Sequence, residues 1–434
     1  MTVNKNNIST SADGADIFTI GAADSPFTNL GRLTTSGDLA SAIRGTASGI
    51  SIANRGDISV SGAGSPGITV GDPFGEFYDH VTVNNYGTIT NTGEIYASDV
   101  WLAFPDGIDV FGNYNQVTNF GSITTISLDG SGIGSVGANC LITNRGQITS
   151  AAFGIIIDTN DQPDVDSHNM VLNYGTIHTT GDLSRAIAFN TDDNTVNNYG
   201  TIQADGVHSF GISMEGTGNH GENRGTILAT GEEDRGVLLF GGAHSFVNYG
   251  QIDSIGADGV GIRFGGDDPA GLAPNIFVNY GEVAGAGWAV LGWPGVDQVI
   301  NRGAMTGAVD LGEGDDNYVA GKGGSLNGEL TLGDGDDLIV FERGGGSLTV
   351  TDFVAGEGTD DAIDLSAFGF HSFADVMSHA SQSGSDVILN LGGKDKIVLE
   401  GVSLGALAAD DFALGDAAVH VHSALAHHDW FALA

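Results

Sequence analysis

The chain has one cysteine, Cys140, among its 434 residues, so no disulfide can form within it. A secreted protein without disulfides needs another means of stabilisation. Bound metal ions are the obvious candidate, because binding that requires the folded state stabilises that state.

Basic residues are scarce. Lys and Arg together number 14 against 54 Asp and Glu, which gives a formal net charge of −40. This balance argues against a nucleic-acid partner, because phosphate binding needs clustered Lys and Arg. It favours either bound cations or a chain kept soluble by self-repulsion. The hydrophobic content of 41% is sufficient for a core, so the acidity does not indicate disorder.

Long apolar runs are also missing. No stretch approaches the 18 apolar residues of a membrane-spanning helix. The amino terminus, "MTVNKNNISTSADGAD", contains no apolar run, so we expect neither a cleaved secretory signal nor a membrane anchor there.

One pentapeptide pattern, Asn-x-Gly-x-apolar, recurs through two-thirds of the chain. It occurs in register eleven times, at Asn29, Asn54, Asn85, Asn119, Asn144, Asn173, Asn198, Asn223, Asn248, Asn279 and Asn301. Five of the ten intervals between copies equal 25 residues. A repeat of this length indicates a solenoid, and a propeller blade would be longer.

The spacing inside each copy is that of a β-strand. The residue two before the Asn is apolar in ten of eleven copies, with Gly221 the exception, and the residue four after it is apolar in all eleven. The sequence therefore predicts an all-β parallel β-helix of about eleven coils. We expect the Asn to point inward and form a ladder, the Gly to adopt a positive φ at a corner, and the last residue to enter the core.

The residue after each Asn has the opposite parity and should face outward. Most of these positions are tyrosine or arginine, namely Tyr86, Tyr174, Tyr199, Tyr249 and Tyr280, and Arg55, Arg145, Arg224 and Arg302. One interpretation is a surface ladder held by cation–π contacts. The other is a stripe that binds a glycan or a neighbouring molecule, because aromatic and Arg side chains are enriched at interfaces.

After Asn301 the pattern changes. "LGEGDDNYV" (311–319) and "LGDGDDLIV" (332–340) both fit Gly-x-Gly-x-Asp-x-apolar. Calcium takes several oxygen ligands, which such a turn supplies as carboxylates and backbone carbonyls. Asp316 and Asp337 are the best ligand candidates. The weaker ones are the carboxylates of Glu313, Asp315, Asp334 and Asp336, with the turn glycines Gly312, Gly314, Gly333 and Gly335. The alternative is a pair of acidic, solvated turns without metal.

These two segments resemble the calcium-binding β-roll of RTX (repeats-in-toxin) proteins. They depart from its nonapeptide in having Leu311 and Leu332 at the first Gly, and in a spacing of 21 residues. The segments 350–370 and 384–414, and the last residues "DWFALA", are similar to the carboxyl-terminal region of type I secreted proteins. The resemblance implies Ca²⁺ binding, export by a type I secretion machinery, and an extracellular or cell-surface location on a Gram-negative bacterium. The Asn-x-Gly coils resemble the repeats of β-helical autotransporters and haemagglutinin-like adhesins.

We therefore expect four regions. Residues 1–28 would be a cap or docking segment and 29–305 the β-helix, followed by calcium-binding coils over 306–345 and a cap with the secretion region over 346–434.

The favoured function is a secreted, calcium-binding structural protein that binds further copies of itself in a filament, surface layer or biofilm matrix. One alternative is an adhesin for glycans or a host surface. Another is a polysaccharide lyase or epimerase, which is disfavoured because Asp109, His208, Glu215 and Arg263 lie scattered in the sequence. The histidines His420, His422, His427 and His428 form either a metal site or a tail without metal.

Overall fold

The chain folds as a parallel β-solenoid of about 13 turns, as seen in a computed structural model that describes residues 1–72, 75–94, 104–158, 167–265, 274–358 and 361–415. The predicted fold class is confirmed, with more turns than the eleven expected. Counting copies of the pentapeptide misses the turns in which another residue replaces its Gly or Asn. Asn6 stands in place of the Gly in the first turn, and Ala320 and Phe341 align with Asn301 in later ones. Two compact units, Met1–Arg263 and Phe264–Ala434, are described separately.

In the first unit each turn contributes three short strands that pair in parallel with their equivalents in neighbouring turns. The first strands of the turns are Thr2–Asn4, Phe27–Asn29, Ser51–Asn54, Thr82–Asn85, Gln116–Asn119, Leu141–Asn144, Met170–Asn173, Thr195–Asn198, His220–Asn223 and Ser245–Asn248. The second strands are Ile8–Thr10, Leu33–Thr35, Asp57–Val60, Thr88–Asn91, Ser122–Thr125, Gln147–Ser150, Thr176–Thr179, Thr201–Ala204, Thr226–Ala229 and Gln251–Ser254. The third strands are Phe18–Ile20, Ile43–Gly45, Ile68–Val70, Ile108–Phe111, Ser131–Val136, Phe153–Asp158, Arg185–Phe189, Phe210–Thr217, Arg235–Gly242 and Val260–Gly265. A 3₁₀ turn spans Ala22–Asp24.

The second unit continues the same kind of pairing and ends in an antiparallel meander. One sheet contains Asn275–Asn279, Asp297–Asn301, Asn317–Ala320, Leu338–Phe341, Ala362–Asp364 and Phe412–Ala413. The other contains Glu282–Leu291, Ala304–Asp310, Ser325–Asn327, Leu330–Thr331, Ser347–Val350, Ala380–Ser383, Asp386–Gly392 and Asp395–Leu399. A 3₁₀ turn, Ser366–Phe368, and a short α-helix, Phe373–Met377, precede the meander. No helix among the described residues has the length and apolar character needed to cross a membrane.

The repeated asparagines form the ladder that the pattern predicts. In the first unit ten of them, from Asn4 to Asn248, are joined by nine side-chain hydrogen bonds of 2.8–3.0 Å, each from an Nδ2 to the Oδ1 one turn further on. Each of these ten side chains is buried. The second unit has an equivalent bond of 3.1 Å from Asn279 to Asn301. Because each amide also bonds the backbone of its own turn, the ladder satisfies polar groups that burial would otherwise leave unpaired.

The predicted reason for the glycine of the pentapeptide is wrong. None of the repeat glycines from Gly31 to Gly250 adopts a positive φ. A Cβ on Gly56 would instead overlap the carbonyl oxygen of Gly31, and the same relation holds from turn to turn along the unit. The residue must be glycine because the backbone of the preceding turn occupies the space of a side chain.

Gly221, the exception to the apolar pattern, is explained by its neighbour. It aligns with Val196 on one side and with Phe246 on the other. Phe246 is fully buried, and a Cβ on Gly221 would overlap its ring. The volume missing from one turn is therefore filled from the next, which keeps the interior packed.

We predict that Gly221→Val and Phe246→Val are each destabilising and that the double variant recovers much of the loss. The first overpacks the core, at about 1–3 kcal/mol. The second leaves a cavity that costs about 2 kcal/mol or more. Together they produce a column of valines, so the two changes should couple by about 0.5–3 kcal/mol. Thermal unfolding of the four proteins measures this, and simple additivity of the two losses would contradict it.

Candidate functional site

A second internal ladder runs four residues before the first one. In the first unit it contains Asn169, Asn194 and Asn219, all buried. The Oδ1 of each accepts the backbone N–H of the equivalent residue one turn earlier, at 2.8 Å from Cys140, 2.9 Å from Asn169 and 2.7 Å from Asn194. These neutral amides hold neighbouring turns together without any counter-ion.

In the second unit Asn275 occupies this position in the first turn, and aspartate takes over from Asp297 onwards. The Oδ1 of Asp316 accepts the N–H of Asp297 at 2.6 Å, and the Oδ1 of Asp337 accepts the N–H of Asp316 at 2.8 Å. Asp361 receives the N–H of Asp337 at 3.3 Å in the same way. The carboxylates predicted to bind calcium therefore continue an inward structural ladder, one per turn.

Their second oxygens are buried without a hydrogen bond. This holds for the Oδ2 of both Asp316 and Asp337, whose side chains are only 1% exposed. An ionised carboxylate in such a place is costly unless it is paired. Burial, together with the nearby charges of Asp297 and Asp337, raises the pKa of Asp316 to about 9. Burial likewise raises the pKa of Asp337 to about 7, with Asp361 adding to the effect.

The turns that carry these aspartates have matching backbones. Gly312 and Gly333 both have φ of 100°, and Gly314 and Gly335 have φ of 142° and 151°. Glycine is needed here for its conformation, and also because a Cβ on Gly335 would overlap the carbonyl oxygen of Gly314. The two Gly-x-Gly-x-Asp turns therefore stack directly on one another.

The four weaker ligand candidates lie outside. Glu313, Asp315, Asp334 and Asp336 are exposed, and Glu313 and Asp334 meet only as an isolated parallel bridge of the backbone. In the described part of the chain no group of three or more His, Cys, Asp or Glu side chains converges as a metal site. A cation at these turns would thus need backbone carbonyls as well as the inward carboxylates.

Three further aspartates belong to this region and were missed in the sequence. Asp297 and Asp361 extend the ladder at either end, and Asp352 accepts the N–H groups of Leu332 and Gly333, both at 2.9 Å. Asp297 could have been found by counting four residues back from Asn301. Two residues separate "GEG" (356–358) from Asp361, whereas only one residue separates the second Gly from the Asp in the two copies that fit the motif.

The stripe of residues after each Asn faces outward, as predicted. Its aromatic rings are between 39% and 43% exposed, at Tyr86, Phe120, Tyr174, Tyr199, Tyr249 and Tyr280. Two neighbouring pairs are stacked, Tyr86 on Phe120 with centroids 4.7 Å apart and Tyr174 on Tyr199 at 4.9 Å.

Cation–π contacts link the arginines to these rings. Arg55 lies 4.1 Å from the centroid of Tyr86, Arg145 lies 4.4 Å from Tyr174, and Arg224 lies 4.3 Å from Tyr249. Two stripe arginines also have carboxylate partners. Arg224 pairs with Glu222 at 2.5 Å, and Arg302 forms a two-pronged pair with Glu342 at 2.6 and 3.0 Å.

A shallow groove of about 590 Å³ follows the stripe on its second-strand side. It is lined by repeat glycines, by Tyr86, Phe120 and Arg145, and by the polar residues Thr88, Ser122, Gln147 and Thr176. Arg145 has no carboxylate partner within the described ranges. Ring faces beside hydroxyl and amide groups could contact both the apolar and the polar faces of a sugar.

Two of the scattered polar residues of the sequence have ion-pair partners. Glu215 pairs with Arg185 at 2.5 Å, and His208 with Glu233 at 3.2 Å. The tail with its four histidines and the last residues "DWFALA" lie outside the described residues.

No protein-family model matches the chain, and a search of curated proteins finds no match. What can be said of function therefore rests on the ladders, the turns and the stripe.

We predict that calcium-free protein loses stability as the pH rises from 5 to 8. The folded state holds protons on Asp316 and Asp337 up to pKa values of about 9 and 7, whereas the unfolded chain releases them near 4. The folded state then binds more protons than the unfolded one, so unfolding becomes easier with increasing pH. Asp316→Asn with Asp337→Asn should remove this contribution and raise the Tm at pH 8 in EDTA, on the order of 5 °C.

The control is Asp57→Asn with Asp129→Asn, which removes the same charge from two exposed positions. Loss of general self-repulsion affects both variants, so the difference between them isolates the buried pair. A buried-pair variant that gains no more than the control at pH 8 would contradict the assignment.

Proposed function

We propose that this protein is a secreted, calcium-stabilised structural protein that associates with further copies of itself. The observation that carries the proposal is the pair of buried carboxylates at Asp316 and Asp337, each with one oxygen unsatisfied. The amide ladder elsewhere makes the same backbone bond without an acidic group. An acidic residue at this buried position is therefore best explained by a cation that takes the place of its proton.

Calcium suits these residues better than a transition metal does. The available donors are carboxylate and carbonyl oxygens, the ligands of a hard cation. Asp316 and Asp337 would supply the inward carboxylates and the stacked glycine turns the carbonyls. Bound Ca²⁺ would neutralise the ladder and tie successive turns together, so the stability of these turns would depend on the ion. The RTX-like turns and the strong acidity support export before folding, into a calcium-rich exterior.

Self-association finds support along the stripe. Exposed stacked rings are typical of contact surfaces, as are guanidinium groups such as those of Arg55 and Arg145, which lie over these rings and have no carboxylate partner among the described residues. Lateral contact through the stripe is therefore the mode of association that these side chains favour.

We predict calcium-dependent assembly that requires the stripe. Purified chain in EDTA, then in millimolar Ca²⁺, should gain ordered structure and then scatter light, with filaments or layers visible by electron microscopy. Replacing Tyr174, Tyr199 and Tyr249 by Ser should leave the calcium-induced folding intact and reduce the scattering several-fold.

The matched control replaces three exposed apolar residues elsewhere, Tyr114, Leu183 and Ile255, by Ser. It should assemble like the unaltered chain. If the chain folds with calcium and stays monomeric, the structural function fails while the calcium assignment stands.

A second function, an adhesin for surface glycans, is favoured by the groove beside Tyr86, Phe120 and Arg145. In that case a glycan array should show calcium-dependent binding by the monomer. Binding should be weakened by Phe120→Ser and left unchanged by Tyr114→Ser.

A further inference from the structure

A second acidic pair, Asp106 and Asp109, lies at the strand Ile108–Phe111 of the first unit, with Asp106 two residues before the strand begins. Asp106 and Asp109 are 4% and 8% exposed. Asp109 lies between the core residues Ile108 and Val110, so its side chain points away from the interior of the turn and is nevertheless nine-tenths buried. The ladders described above do not include these residues.

The first two turns contain a carboxylate at the same position as Asp106, at Asp16, with both of its oxygens paired. The Oδ1 of Asp16 accepts the N–H of Ser41 one turn further on, at 2.8 Å. Its Oδ2 pairs at 2.7 Å with the Nε of Arg44, three residues beyond that serine. One oxygen thus joins the turns and the other is neutralised by a guanidinium group.

Asp106 repeats the first half of this arrangement. Its Oδ1 accepts both the N–H and the hydroxyl of Ser131 one turn further on, at 2.5 and 2.8 Å. Three residues beyond Ser131, where Arg44 stands in the earlier case, the residue is Gly134. The cation is missing at the place where the fold supplies one elsewhere.

Three oxygens surround the place that a side chain would have filled. A Cβ on Gly134 would lie 3.0 Å from the Oδ1 of Asp109, 3.2 Å from the Oγ of Ser131 and 3.3 Å from the Oδ2 of Asp106. Asp109 aligns with Gly134 in the strand register and makes no side-chain ion pair among the described residues. Burial raises the pKa of both carboxyls, to about 6 for Asp106, and the charge of Asp106 further raises that of Asp109.

We infer that Asp106, Asp109 and Ser131 form a binding site for a single Ca²⁺ ion beside Gly134, separate from the Gly-x-Gly-x-Asp turns. Two carboxylates and a hydroxyl are hard oxygen donors, and water completes the six to eight ligands that calcium takes. The ion replaces the guanidinium group that Arg44 supplies near the start of the unit. A site with three protein donors binds with a Kd on the order of 0.1–1 mM, the range of extracellular calcium modules.

The test counts bound calcium by equilibrium dialysis with ⁴⁵Ca²⁺, on the full chain and on two variants. Asp106→Asn with Asp109→Asn keeps the shape and removes the charge, and should bind one ion fewer per chain. Gly134→Arg restores the arrangement of Asp16 and Arg44, because φ at Gly134 is not in the left-handed region. It should also bind one ion fewer, and its Tm in EDTA should exceed that of the unaltered chain.

Asp316→Asn with Asp337→Asn serves as the reference, because it should lose the ions of the carboxyl-terminal turns and keep this one. Equal calcium counts in the unaltered chain and in folded Gly134→Arg would overturn the inference, whatever the reference variant shows. If the double Asn variant does not fold, Gly134→Arg decides alone.

Discussion

Direct contact between the backbones of successive turns is the constraint on which the rest of the structure depends. The carbonyl of Gly31 lies where Gly56 would carry a Cβ, and the relation repeats at Gly87 and beyond. This spacing fixes the register of every strand, and it brings identical side chains into hydrogen-bonding distance one turn apart. Asparagine suits the inward corner because its amide both donates and accepts, so each copy can bond the next. The side chains of the residues after each ladder asparagine point outward and are not limited by this close contact. Tyr, Phe, Arg and Leu can therefore all occupy that position.

The same geometry has two chemical solutions at the position four residues before the ladder asparagine. In the first unit Asn169, Asn194 and Asn219 link turns with neutral groups. In the second unit Asp316 and Asp337 make the same backbone bond but retain a second, unsatisfied oxygen. An amide ladder is complete by itself, whereas a carboxylate ladder is stable only with protons or with a cation. Exchanging asparagine for aspartate at this position thus makes the stability of one region depend on pH and on cation concentration.

Periodicity was enough to predict the fold, the inward asparagines and the outward stripe, because each depends on parity along a strand. It missed the turns at Asn6, Ala320 and Phe341, where stacking continues without the pentapeptide. The role of the glycine was misjudged, since a close approach by another turn leaves no local signal. The sequence pointed to Asp316 and Asp337, but it did not reveal that they bond the turn before them. The pair at Asp106 and Asp109 was not recognised because turns of 31 and 34 residues conceal that Gly134 aligns with Arg44.

The central claim is that the carboxylate ladder needs calcium and the amide ladder does not. Hydrogen exchange of backbone amides, read by mass spectrometry with and without calcium at pH 7.5, tests it most directly. The account predicts that removing calcium exposes the amides of strands Asp297–Asn301, Asn317–Ala320 and Leu338–Phe341 to exchange. Strands Met170–Asn173 to Ser245–Asn248 should stay protected. Equal protection of residues 297–341 in both conditions, or uniform loss along the whole chain, would contradict it.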